Sequence, residues 1–261
     1  MAEDGAAFEC INCHGGSDHK VRGRGADLFG DELPDRPLSC DDASCHGPAP
    51  HQAEALNLHT RRLACQSCHI PTFAKSDPTD MERDWSSPLY HEEKDKWSAT
   101  IRLEKDVTPV YAWYNGTTRA QLPSVPVSRQ ADGRVGMMLP LGDRNDPNAK
   151  IYPFKLHRAK MPILSGKNWL LPVAVEEFFA SGKLEAAVKK GAKEFYGVED
   201  AAFTWVETVR YMSIAHEVVP VQRALGCLDC HTSKGRLDWK ALGWDGDPVV
   251  AALEKAQRER K

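Results

Sequence analysis

Every cysteine in the sequence belongs to a pair, and a histidine follows each pair at once. Three pairs have two residues between the cysteines: Cys10-Ile11-Asn12-Cys13-His14, Cys65-Gln66-Ser67-Cys68-His69 and Cys227-Leu228-Asp229-Cys230-His231. The fourth is wider, Cys40-Asp41-Asp42-Ala43-Ser44-Cys45-His46. Two thiols at such spacing can close thioethers on the two vinyl groups of one haem. The next residue then offers an imidazole nitrogen to the iron. Two other chemistries use paired cysteines. Four pairs could build two four-cysteine zinc sites, but zinc does not require a histidine after each second cysteine. Disulfides between cysteines so close in sequence are rare in a chain of 261 residues. The expected cofactor is therefore haem c, four groups held covalently by Cys10, Cys13, Cys40, Cys45, Cys65, Cys68, Cys227 and Cys230. His14, His46, His69 and His231 are the expected iron ligands.

The histidines left over decide what such irons can do. An iron with two imidazoles is saturated and carries electrons, whereas one with an open or weakly held position can bind and activate a small molecule. His19 and His51 each follow a motif histidine by five residues, too short a reach for the far face of the same haem but suited to a neighbour. His59 precedes Cys65 by six residues and is placed in the same way. His157 and His216 sit in the long stretch without motifs. His91, inside the charged run His91-Glu92-Glu93-Lys94-Asp95-Lys96, is expected to be solvated. Five candidates thus compete for four positions, and spacing alone leaves the spare one open.

The elements that must position these residues divide the chain into three parts, expected to form one globular unit. Residues 1–75 hold three motifs in sequence rich in Gly, Asp, Pro and His, so short helical turns and loops are expected there. Residues 76–219 carry no motif and are expected to supply distal ligands. Within them, 97–117 read as extended segments ending in the turn Asn115-Gly116, and 118–150 as loop with a hairpin around Asp132-Gly133. Val173–Ala180, Leu184–Phe195 and Ala201–Val218 read as helices, the last bounded by Pro220. Residues 220–261 hold the fourth motif, with a helix leading in from Val221 and a terminal helix over Pro248–Lys261. The fold class expected is mainly α with extensive loops and a few short β strands, organised around four stacked haems.

Formal net charge is only −3 and hydrophobic residues make up 41%, so nothing suggests a nucleic-acid partner. Haem propionates would make the assembled surface acidic, suited to a basic patch on a redox partner protein. No apolar stretch reaches the length of a membrane span. Met1-Ala2-Glu3-Asp4 lacks the basic and apolar segments of a leader. Thioether attachment takes place outside the cytoplasm, so a periplasmic or extracellular location is expected, with the leader absent from this sequence.

Beyond the motifs, ordered segments resemble the octahaem tetrathionate reductase-type c-type cytochromes, and more narrowly their C-terminal four-haem half. They include Phe8-Glu9-Cys10 with His19, Leu56-Asn57-Leu58-His59 and Ala64–Phe73. Further along come Trp113-Tyr114-Asn115-Gly116-Thr117, Lys150–Arg158, Val206-Glu207-Thr208, Ile214-Ala215-His216 and Gly235–Gly243. The resemblance implies distal-ligand roles for His19, His59, His157 and His216, and allows one for His51. Two departures stand out: the family's first four haems, with its lysine-ligated substrate haem, have no counterpart here, and the second motif is widened. All eight cysteines are taken by motifs, leaving no thiol for sulfur chemistry. The leading expectation is a tetrahaem electron carrier working between redox partners rather than an enzyme. The alternatives are a reductase of tetrathionate, nitrite or hydroxylamine, with Lys155 or Lys160 as the lysines to test, and a subunit of a conducting filament with haem-to-haem contact between chains.

Overall fold

The structure, a computed structural model, describes residues 8–23 and 38–260. The residues read above for a leader, Met1–Asp4, lie outside the described residues. The first motif forms one turn of helix, α1 (Cys10–Cys13), followed by the strands β1 (Gly16–Ser17) and β2 (Lys20–Val21) of a minimal hairpin. Both residues of its tip, Asp18 and His19, have positive φ, 52° and 63°, the conformation whose twist matches a two-residue hairpin. The second motif is a series of turns. The helices α2 (Glu54–His59) and α3 (Gln66–His69) follow, and α3 carries the third motif's histidine.

The stretch without motifs overturns the mainly α expectation. It forms a mixed seven-stranded sheet from β3 (Thr79–His91), β4 (Lys96–Glu104), β5 (Val110–Tyr114), β6 (Thr118–Ala120), β7 (Val135–Pro140), β8 (Lys150–Leu164) and β9 (Phe203–Ser213). The order is β4-β3-β8-β9-β7-β6, with β5 also on β8. Parallel pairs β3/β8 and β7/β9 are set among antiparallel ones. The 15-residue β8 is the spine, pairing with β9 over eleven residue pairs from Phe154/Ser213 to Leu164/Phe203.

The segment expected as the longest helix, Ala201–Val218, is therefore β9. Its β-branched Thr204, Val206, Thr208 and Val209 and its aromatic Phe203, Trp205 and Tyr211 fit a pleated surface better than a helix. Buried Thr208 fixes the pairing by donating its hydroxyl to the Ala159 carbonyl at 3.1 Å. The helix expected from Val221 is likewise reduced to two short 3₁₀ turns, Val221–Arg223 and Cys227–Asp229.

Three helices complete the fold: α4 (Val175–Ser181), α5 (Leu184–Tyr196) and the terminal α6 (Pro248–Arg258). Phe178 of α4 is fully buried, its ring 6.0 Å from that of Trp85 on β3. Val188 and Ala192 of α5 pack on Leu164 and Leu171. Asp247 caps α6, accepting from Val249 N at 2.9 Å, with Pro248 at the first helical position.

Two further clusters fasten the motifs to this sheet. Ile70, next to the third motif, is fully buried among Phe73, Met81 and Ile214. Leu237 and Leu242, beyond the fourth motif, pack against Trp113 and Ile151. Main-chain polar groups reinforce both contacts. Ser67 donates its hydroxyl to the Ile151 carbonyl at 2.8 Å, and the Trp113 indole donates to the Leu242 carbonyl at 2.9 Å.

Candidate metal centres

None of the eight cysteines is in a disulfide, and successive motifs lie side by side. Cys40 is hydrogen-bonded to Cys65, which pushes the Cys40 thiol up and holds Cys65 down at about 7. Cys13 adds to the field at Cys40. Burial pushes Cys68 up to about 11, with Cys230 and Cys227 of the fourth motif contributing. Among the described residues no three metal-ligating side chains converge, so a four-cysteine zinc site is not assembled.

The histidines meet in pairs instead. His14 faces His216 with ring centroids 6.1 Å apart, His69 faces His51 at 6.4 Å, and His231 faces His59 at 6.2 Å. Each pair joins a motif histidine to one from elsewhere in the chain. A metal–nitrogen bond of about 2.0–2.1 Å plus roughly 1.1 Å from nitrogen to ring centre, taken twice, spans about 6.2–6.4 Å. One ion therefore fits between each pair. The interplanar angles of 47°, 17° and 66° are compatible with this, because rotation about the nitrogen–metal axis is free of constraint.

Hydrogen bonds set which nitrogen faces the gap. Nδ1 of His14 bonds the Arg22 carbonyl at 2.8 Å, and Nδ1 of His59 the Ala55 carbonyl at 2.7 Å. Nδ1 of His51 lies 3.3 Å from Asn57 Oδ1, and Nδ1 of His231 lies 2.9 Å from Asp247 Oδ1. All four partners are acceptors, so Nδ1 carries the proton and Nε2 keeps the lone pair that a metal needs. Burial pushes His69 down, and His51 and His46 add to the effect.

The loops that carry the partners are held from several sides. His216 follows β9 in a loop fixed by three main-chain bonds: Ile214 N to Pro153 O, Val219 N to His69 O, and Leu225 N to Cys68 O. Beside His216, the Glu217 carboxylate accepts from Lys75 N at 3.1 Å, while Lys75 Nζ donates to the Glu217 carbonyl at 2.9 Å. Asn57 clamps His51 by accepting from its N–H and donating to its carbonyl.

Large apolar side chains lie exposed against the motifs, including Ile11 (69%), Leu228 (75%), Val221 (69%) and Phe8 (52%). A porphyrin face would cover such groups, and so much exposed apolar surface points to a bound partner or ligand. A cavity of about 400 Å³ beside the second motif is lined by Asp41, Leu58, Arg61 and Lys150, among others. Its two cations could pair with propionates. The residues present thus fit the group.

A family model for bacterial cytochrome c matches residues 74–234, which span the sheet and the fourth motif. The chain belongs to the bacterial cytochrome c family. Covalently bound haem c and a redox role come with that membership. The fold of this cytochrome is also similar to the crystal structure of an octahaem cytochrome c from Shewanella oneidensis. The TM-score is 0.80 and the identity 33%, over 95% of this chain and 60% of that one. The chain thus spans well under two thirds of that protein. No curated protein matches the sequence.

Three expected site residues fall outside the three pairs. His46 is exposed in the second motif, and the described residues place no imidazole against it. His19 is exposed at the hairpin tip. His157 lies on β8, its Nε2 3.3 Å from Asp80 Oδ1, opposite Arg210 of β9 rather than another imidazole. His91 is not solvated as expected: it is half-buried, with Nε2 2.8 Å from Ser98 Oγ. Lys155 donates to Thr79 Oγ1 at 2.7 Å. Sequence reasoning missed Asp247 and Asn57, whose partners are remote or main-chain and leave no trace in motif spacing. No helix among the described residues is long and apolar enough to cross a membrane.

Proposed function

We propose that this cytochrome binds four haems and passes electrons between redox partners through irons ligated by two histidines. The observation that carries the reading is the set of three opposed imidazole pairs, each at the spacing of one shared metal ion. In this reading His14 and His216 hold the first haem, His69 and His51 the third, and His231 and His59 the fourth. The second haem hangs on Cys40, Cys45 and His46, with His19 as its distal ligand. The salt bridge between Arg22, just past the hairpin that bears His19, and Asp42 of the second motif at 2.9 Å supports that assignment.

Haem iron supplies a one-electron couple between ferric and ferrous states. The chain's own residues do the rest. The pairs His14/His216, His69/His51 and His231/His59 would hold three of the irons, the Nδ1 protons of His14, His51, His59 and His231 sit on fixed acceptors, and the four attachment sites lie side by side. Contacts between thiols of neighbouring motifs support short transfer distances between the groups. Lys155, on which a reductase reading would lean, is engaged with Thr79, which favours transfer without turnover. Coverage of 60% of an octahaem chain supports likeness to the four-haem half of the tetrathionate reductase-type proteins. Periplasmic or extracellular residence follows from thioether attachment.

Mass spectrometry of the holoprotein should give four haems per chain, and ferric EPR should be wholly low-spin. Fewer than four haems, or a high-spin signal amounting to a whole iron, would overturn the reading.

A further inference from the structure

Of the paired imidazoles with an acceptor on Nδ1, three bond neutral oxygens: the carbonyls of Arg22 and Ala55, and the amide of Asn57. His231 alone among them bonds a carboxylate, Asp247 Oδ1, at 2.9 Å. The Asp247 side chain is only 7% exposed, and burial within so little solvent leaves its charge weakly screened. Oδ1 also accepts from Val249 N at 2.9 Å, while Oδ2 is buried with no hydrogen-bond partner. The charge is therefore not cancelled by a cation and acts on the ring it touches. Trp239 stacks on that ring, centroids 5.4 Å apart at 23°.

A carboxylate on Nδ1 draws the proton away from the ring and raises the basicity of Nε2. A more basic ligand favours ferric over ferrous iron. We propose that Asp247 is a positioning residue that, through His231, lowers the reduction potential of the fourth haem. This inference rests on the reading that His231 and His59 ligate one iron.

The experiment is potentiometric titration of the holoprotein with dithionite, followed optically and by EPR, for wild type, Asp247→Asn and Asp247→Glu. Asparagine keeps an acceptor for both Val249 N and His231 and is itself a good helix cap, so α6 is retained. In Asp247→Asn, one haem should become about tenfold easier to reduce, a rise of about 59 mV for a one-electron couple. The other three should be unmoved, and Asp247→Glu should stay near wild type. No shift in any haem, a common shift in all, or the same rise in Asp247→Glu overturns the proposal. Failure of the underlying ligand reading is separable, because it leaves His59→Ala wholly low-spin whatever Asp247 does.

Discussion

The pairing of His59 with His231 makes a quantitative demand on one variant, His59→Ala. Removing the imidazole opens a gap opposite His231, whose ring lies 6.2 Å away in the native chain. The substitution leaves the local fold in place. Arg62 N and Leu63 N bond the His59 carbonyl at 2.9 and 2.7 Å, and those main-chain contacts survive. Alanine is also the best helix former for the end of α2. With four motifs in the chain, one iron in four should turn high-spin. Integrated ferric EPR should therefore move from no high-spin signal to one quarter of total iron. Added imidazole should return it to low-spin, since the vacated space is the size of the missing ring. A spectrum that stays wholly low-spin, or a high-spin fraction of one half or more, refutes the pairing. So does a high-spin iron that imidazole does not rescue.

Three other outcomes test the scaffold. Phe178→Ala should cost about 3–5 kcal/mol in denaturant unfolding, because the ring is fully buried against Trp85; its EPR should stay unchanged, since α4 packs chiefly on β4 and α5. Gly235→Ala should lower haem occupancy to three by mass, because a Cβ there would lie 2.0 Å from the Cys230 carbonyl oxygen of the fourth motif. Asp42 is held at about 2, chiefly by hydrogen bonds from the Ser44 hydroxyl and N–H and then by Arg22. Its folded pKa lies below the ordinary carboxylate value of about 3.9. The order it lends the second motif is thus present above about pH 4 and lost as pH falls towards 2. Hydrogen exchange across residues 40–47 should rise over that window in wild type and show no such step in Asp42→Asn.

What the sequence discloses is the chemistry whose signal is local. Two cysteines and a histidine must lie on one turn, so the attachment sites stand in the sequence as short words. The terminal helix is equally plain, with Asp247 and Pro248 at its start. The sheet is hidden for physical reasons. The spine β8 contains Pro153 and Pro162 and the polar run Lys155, His157, Arg158 and Lys160, so its composition argues against a strand. Strands β3, β5 and β9 pair with it and α5 packs on its end at Leu164, and such tertiary partners override local propensity. In β9, apolar residues fall at spacings that both periods can accommodate, and the β-branched content decides in favour of the strand. Ligand pairing is invisible for a different reason: His14 and His216 come from opposite ends of the chain, and only the register of β8 with β9 delivers the second to the first. His157 shows the converse. Its neighbours in sequence resemble a ligand segment, yet β8 turns its ring to Asp80.

The sheet and the haems therefore complete each other. Loops such as those around residues 8–23 and 38–70 bury few side chains of their own, and Ile11, Leu56 and Leu58 lie exposed. Such segments cannot recover their conformational entropy from the protein alone. The sheet supplies fixed rails: Ile151 holds Ala64 and Ser67, and the loop after β9 holds His69 and Cys68. The pairs His14/His216 and His59/His231 then tie a motif to a segment distant in sequence, so a haem that engages both imidazoles closes a long loop. The free energy of binding becomes free energy of folding. Loss of His216, whose partner motif has little else to hold it, should accordingly do more than change the spin of one iron. It should also release the loop which that histidine tied down. For His216→Ala, hydrogen exchange should rise over residues 8–23, where α1 and the hairpin have little else to hold them, and remain unchanged over β8 and β9. Uniform exchange across the chain would mean that the sheet, and not the haem, organises the first motif.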